Sequence, residues 1–314
     1  MEGTYKAPGQ AHRHGISLIE LMEMFPDNRR AEDWFTAVRW PEGVRCAHCG
    51  SDRVNERKNR RPMPYHCAAC RKYFSVRTNT LMQSSKLSYQ KWAIAIYLAS
   101  TGIKGTSSMK LHRDLRITQK SAWHLAHRIR ETWADAQPPF EGPVEVDEAF
   151  FGGLEKNKHR NKRLHAGRGP VGKVAVAGMK DRKTGKVSMK VIPNRKRSTL
   201  HGFIARRVKP GAEVYTDEHP SYTRMERYRH EAVEHGVSEF VRGKVHTNGV
   251  ENAWSLLKRA YHGTYHKMSP KHLHRYIMEF EGRYNDRQLH TIEQMERMVR
   301  GMIGKRLQYR ELVA

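Results

Sequence analysis

The chain has 314 residues, 38 % hydrophobic and 29 % charged, which suggests more than one domain and leaves room for a real core. Lys and Arg number 58 against 32 Asp and Glu, giving a net charge of +26; this points to a polyanionic partner, because neutralising phosphates releases counterions. No stretch approaches the roughly 20 apolar residues of a membrane span, and Met1 to Ser17 is polar, so the expectation is a cytoplasmic protein with no membrane partner.

The elements are read in chain order. Residues 1–40 form a helical N-terminal segment, with Ile19, Leu21, Met22, Phe25, Trp34, Phe35 and Val38 on two short helices broken at Pro26. Residues 41–80 hold all four cysteines, as Cys46-Ala-His-Cys49 and Cys67-Ala-Ala-Cys70. Two CxxC knuckles in one short stretch suit a single tetrahedral ion with soft sulfur ligands, so one structural Zn²⁺ on Cys46, Cys49, Cys67 and Cys70 is expected, in a zinc ribbon. Disulfides are disfavoured in a cytosolic chain. His48 and His66 flank the ligands and read as surface residues or DNA contacts.

Residues 81–136 read as a helix-turn-helix module: an apolar helix ending at Gly102, a short helix capped at Ser107, a turn at Arg116-Ile117-Thr118, and a longer helix from Gln119 to Trp133. Gln119, Lys120, His124, His127, Arg128 and Arg130 are expected on its exposed face, with Lys120 and Arg128 as DNA contacts. The alternative is a plain packing unit with a solvated polar face.

From 137 to 290 the pattern becomes a mixed α/β sheet covered by helices. Val144–Phe151 is a strand carrying Asp147. The basic run 156–168 follows as a loop, with Lys158 and Arg160 as candidate DNA contacts. Lys173–Asp181 and Lys186–Ile192 form a strand pair across a turn, Ser198–Val208 a helix, and Glu213–Thr216 a strand with Asp217 at its carboxyl end. His246–His262 and Pro270–Asn285 are helices. Asn248, Glu251, Ser255 and Lys258 share one helix face, beside an apolar stripe of Val250, Trp254, Leu257 and Tyr261. Strand alternation sets Glu145 on the face of Asp147 and Glu148 on the other. Glu218 and His219 are further neighbours of the second acid. Residues 291–314 read as a basic C-terminal tail.

Val-Asp-Glu-Ala-Phe-Phe-Gly-Gly (146–153), Tyr-Thr-Asp-Glu-His-Pro-Ser-Tyr (215–222) and His-Thr-Asn-Gly-Val-Glu-Asn-Ala-Trp-Ser-Leu-Leu-Lys-Arg (246–259) together resemble the bacterial insertion-sequence DDE transposases that carry an N-terminal zinc ribbon, the ISXO-like subgroup. The resemblance runs from about residue 20 to 290. It implies a ribonuclease H-like catalytic domain with Asp147, Asp217 and Glu251 as catalytic acids holding two Mg²⁺ or Mn²⁺ ions, and Asn248 as the alternative third residue. It also implies Lys258, with Arg259 beside it, as a phosphate contact. The implied activity is cleavage and strand transfer of an insertion sequence after binding its terminal inverted repeats. The implied partners are double-stranded DNA, at element ends and target, and further copies of the chain on DNA; the implied setting is the bacterial nucleoid. Two other readings stay open: a zinc-ribbon DNA-binding regulator with an inactive nuclease domain, and a structure-selective ribonuclease H-like nuclease.

Overall fold

The structure, a computed structural model, describes residues 15–134, 138–153, 155–164, 170–233 and 245–314. The chain divides into two units, Met1–Asp135 with Asp286–Ala314, and Ala136–Asn285.

In the first unit, α1 (Leu18–Met24) and α2 (Asn28–Arg39) flank Pro26. Ser17 and Glu20 form a reciprocal capping box on α1, and Asp27 accepts the Arg30 N–H at the start of α2; such caps satisfy amide donors that a helix leaves open at its first turn. Then β1 (Val54–Glu56), β2 (Tyr65–Cys67) and β3 (Tyr73–Phe74) make a three-stranded antiparallel sheet. The helices α3 (Tyr89–Thr101), α4 (Ser108–Leu115) and α5 (Gln119–Arg130) start at Ser88, Ser107 and Thr118, whose hydroxyls each accept the N–H three residues on. Arg116, left-handed at φ 47°, turns α4 into α5.

The second unit is a five-stranded sheet. In chain order its elements are β4 (Val144–Phe151), β5 (Val174–Asp181), β6 (Val187–Ile192), α6 (Arg197–Ala205), β7 (Glu213–Asp217), β8 (Arg229–Val233), α7 (Asn248–Ala260) and α8 (Leu273–Asn285). The strand order is β6-β5-β4-β7-β8. Pairs β6–β5 and β5–β4 are antiparallel, whereas β4–β7 and β7–β8 are parallel. This is the mixed sheet of the ribonuclease H-like fold. Alternation along β4 feeds two cores. Val144 and Val146 pack with Leu200, Ile204 and Tyr222 on the α6 side, and Ala149 and Phe151 pack with Val250, Trp254 and Phe280 on the α7–α8 side. The helix expected over 246–262 is regular only from Asn248 to Ala260; Tyr261–Tyr265 continue it as a π-helical turn.

Edge strand β6 is closed by side chains of α8. Asn285 accepts the Val187 N–H and donates to the Val187 carbonyl, both at 2.8 Å, and Glu281 accepts the Met189 N–H at 2.8 Å. Capping an edge removes a template for strand addition. Burial pushes the Glu281 carboxyl up to about 7. The folded chain therefore keeps a proton that the unfolded chain releases, and the associated stability, full below the ordinary carboxylate range, is lost as pH rises towards 7. Glu281→Gln keeps an acceptor for Met189. Its melting temperature should gain on wild type between pH 5 and 8 by an amount corresponding to about 2 kcal/mol or less; thermal unfolding at a series of pH values checks this.

After the second unit the chain returns to the first as α9 (Thr291–Arg300) and α10 (Tyr309–Val313). The reading of 291–314 as a separate basic tail is corrected here. Met295, Met298, Val299 and Met302 form one helical stripe, and with Leu307 and Leu312 they are buried in the same core as Trp92, Ile96 and Leu125. That stripe, at i, i+3, i+4 and i+7, was present in the sequence and outweighs the charges around it.

Candidate active site and metal centre

The ribbon places its four thiols as the spacing requires. All four sulfurs lie within 4.8 Å of one another, with Cys46–Cys70 at 3.6 Å and Cys49–Cys67 at 3.7 Å. A tetrahedral Zn²⁺ with bonds of about 2.3 Å sets its sulfurs roughly 3.8 Å apart, so the donor set fits that ion. Backbone amides of the knuckles point at the sulfurs, His48 N–H at Cys46 and Cys70 N–H at Cys67. The Cys70 amide holds the Cys67 thiol below its ordinary range, which favours the thiolate that a metal binds. The His66 ring packs at a tilt against Tyr73, and His48 reaches the Tyr73 carbonyl.

The acids gather on the second unit. Asp147 projects from the α7 side of β4. Burial, then the charges of Asp217, Glu148 and Glu251, raise its carboxyl to about 7. Asp147, Glu148 and Glu251 line a cleft of about 590 Å³ with Trp254, Ser255, Lys258, Arg259 and His262. Lys258, Arg259 and Glu251 are exposed along it and Asp147 and Glu148 are half-buried, so the cleft sets cations beside carboxylates. Asn248, the alternative third residue, is exposed in the first turn of α7 and is not among the cleft residues. His262, on the π-helical turn, was not singled out in the sequence; its signal was the spacing of four from Lys258, which keeps it on the same wall.

The three acids share a neighbourhood without closing on one point. Among the described residues, the four cysteines alone make a set of three or more His, Cys, Asp or Glu side chains with all ligand atoms within 4.8 Å. Local hydrogen bonds explain the spread. Asp217 Oδ1 accepts the His219 N–H at 3.1 Å, and Glu251 Oε1 accepts the Thr247 hydroxyl at 2.8 Å. Like charge adds repulsion. Hard carboxylate oxygens around a half-buried Asp147 crowded by like charge are the donor chemistry that a divalent Mg²⁺ or Mn²⁺ would take.

The residues flanking Asp147 reach elsewhere. Glu148 accepts a hydrogen bond from Tyr222, in the turn just past Asp217, and also borders the cleft. Glu145 is 1 % exposed and pairs with Arg182 at 2.6 Å. Opposite Asp147 in the ladder stands Gly178, where an added Cβ would meet Trp254 ring carbons at 2.4 and 2.6 Å. The indole of Trp254 occupies the space that any side chain there would need, and so sets the height of α7 above the sheet. Gly178→Ala should cost about 1–3 kcal/mol in thermal unfolding, and a smaller residue at 254 should recover part of that loss. An unchanged melting temperature in the single variant would show that α7 is not seated on this glycine.

The candidate DNA contacts separate. Lys120 is exposed, its ammonium 4.4 Å from the Tyr309 ring. Arg128 is corrected: it is 9 % exposed and donates to the carbonyls of Leu307 and Gln83, and His127 and Arg130 are buried with it. The returning C-terminal segment covers that face of α5, so Arg128 is a packing residue. Lys158 pairs with Glu155 at 2.5 Å, and Arg160 is exposed. Residues 165–169 of the same basic run, including His165 and Arg168, lie outside the described residues.

Residues 139–285 match the ISXO2-like transposase domain, and residues 26–73 match the transposase zinc-ribbon domain. A protein in transposable element ISH50 of Halobacterium salinarum is 29 % identical over 253 residues, covering 76 % of this chain and 84 % of its own length. A transposase-like protein of Haemophilus influenzae is 29 % identical over 121 residues, covering 38 % of this chain and 97 % of its own. No helix among the described residues is long and apolar enough to cross a membrane. The chain thus joins a transposase zinc-ribbon domain, with its four clustered cysteines, to an ISXO2-like transposase domain, and is similar over most of its length to a protein of a transposable element.

Proposed function

We propose that this transposase binds the terminal inverted repeats of its element, nicks them with water as nucleophile, and joins the freed 3′-hydroxyl to target DNA. The observation that carries the reading is the cleft itself, where half-buried Asp147 sits among the charges of Asp217, Glu148 and Glu251 and the exposed Lys258 and Arg259 line the same cleft. Asp147, Asp217 and Glu251 would hold two Mg²⁺ or Mn²⁺ ions after small side-chain rotations that release Asp217 from His219 and Glu251 from Thr247. The ions supply charge relief for the attacking and leaving oxygens of an in-line displacement. Lys258 and Arg259 grip the phosphates of the bound end, and the buried indole of Trp254 makes an apolar wall that fixes where the backbone can lie. Lys120, Arg160, Lys158 and the ribbon are further candidate DNA contacts. Glu251 is favoured over Asn248 because it lines the cleft with Asp147. Joining two ends in one complex calls for a dimer or larger assembly on DNA.

The test is an assay of nicking and strand transfer on DNA carrying the element's ends, with Mg²⁺ or Mn²⁺ and with chelator. Metal-dependent cutting at the ends followed by joining supports the reading. End binding without cutting would favour a regulator with an inactive nuclease domain. Cutting of branched DNA without end sequence or joining would favour a structure-selective nuclease.

A further inference from the structure

The helix that carries Glu251 begins without a local cap. Thr247, at the N-cap of α7, accepts no helix amide with its side chain, and its hydroxyl donates to Glu251. Elsewhere in the chain the caps of α1 to α5 come from a neighbouring Ser, Thr or Asp. In α7 the missing acceptor comes from β4, more than a hundred residues earlier. Glu145 Oε2 accepts the Val250 N–H at 2.8 Å, which satisfies an open amide and sets a negative charge against the positive end of the helix.

Glu145 is in turn held fast. Arg182 Nε donates to Glu145 Oε1 at 2.6 Å, and Arg182 Nη2 donates to the His246 carbonyl at 2.7 Å. The Arg182 guanidinium lies over the Tyr215 ring at 4.7 Å, on the strand that ends in Asp217. Gly249 makes the approach possible, since a Cβ there would stand 2.6 Å from Glu145 Oε2. One carboxylate thus ties together the strand of Asp147, the segment entering α7 and the first turn of that helix.

We infer that Glu145, clamped by Arg182, is a positioning residue that fixes the N-terminus of α7 and with it the place of Glu251 relative to Asp147. This inference rests on the proposed strand-transfer reading for its consequence and on geometry alone for its mechanism. It also explains Glu-x-Asp on β4: alternation puts both side chains on the α7 face, one to hold the helix and one to do chemistry.

The experiment compares the full-length wild type with Glu145→Gln, Arg182→Lys, Gly249→Ala and Asp147→Ala. Amide hydrogen exchange of the peptide spanning 246–257 reads the position of α7. Nicking at saturating end DNA reads chemistry, and end affinity is measured separately. The clamp predicts exchange at the start of α7 at least tenfold faster in the first three variants, while β5 and β7 exchange as in wild type. It predicts nicking slower by tenfold or more at unchanged end affinity, with Glu145→Gln the mildest of the three because it keeps an acceptor for Val250. Wild-type exchange in this peptide in both Glu145→Gln and Arg182→Lys would overturn the inference, as would faster exchange spread over the whole sheet. Asp147→Ala separates the two readings: it should abolish nicking and leave α7 exchange unaltered. If it leaves nicking intact the functional reading fails, and the exchange data still decide the clamp.

Discussion

Replacing Asp147 by Asn is expected to abolish metal-dependent nicking and at the same time to stabilise the metal-free protein. The side chain keeps its shape and loses its charge. As a proposed metal ligand, this carboxylate would help place charge stabilisation worth several kcal/mol in the transition state, so a rate loss of at least about 10³-fold is expected, equivalent to roughly 4 kcal/mol. The gain in stability has a separate origin. Asp147 is half-buried and partly desolvated, near the charges of Asp217, Glu148 and Glu251, so its charge opposes folding when no cation offsets it. Affinity for end DNA should hold or rise, since one negative charge leaves a cleft that receives phosphate. Nicking assays, thermal unfolding without added metal and end binding test the three parts. Activity within tenfold of wild type would remove Asp147 from the chemistry, whatever the unfolding data show.

The second large effect is expected at the ribbon. Its buried core consists of Cys46, Tyr65, Cys67 and Phe74, so half of its buried members are proposed ligands. Three strands of two or three residues each cannot hold together on that core alone. In small zinc domains metal binding supplies about 10–16 kcal/mol of folding free energy. Cys67→Ser, or a strong chelator, should therefore unfold residues 44–76 and release one zinc per chain. End affinity should fall by at least about a hundredfold. The second unit should keep its thermal transition, because its two cores share no residue with the ribbon. Metal content by atomic spectroscopy and exchange over residues 44–76 provide the check. A fully folded ribbon in metal-free protein would contradict it.

Much of this architecture could be read along the chain. The cysteine spacing alone specified four converging thiols. Period-two alternation in Val144–Phe151 put Asp147 and Glu145 on one face, and helical spacing put Glu251 and Lys258 along one wall of the cleft. What could not be read were the partners brought in from far away. Arg128 looked like a surface cation on a DNA-reading helix, and the Leu307 carbonyl that encloses it lies nearly two hundred residues later. Glu145 looked like a weak neighbour of the first acid because its target, the Val250 amide, belongs to another element. The closing of the β6 edge by Asn285 and Glu281 was hidden for the same reason. Local periodicity reveals which way a side chain faces; what stands in front of it is decided by topology.

Because Asp286–Ala314 completes the hydrophobic interior of the N-terminal unit, the catalytic unit is an insertion within another folding body. In genetic terms, a nonsense codon or frameshift just after Asn285 would spare every proposed catalytic residue and still leave Trp92, Ile96 and Leu125 without their covering methionines. Decayed copies of such an element that lose only their last few dozen codons would then yield chains unable to fold their N-terminal half, and so unable to persist as dominant competitors for the ends.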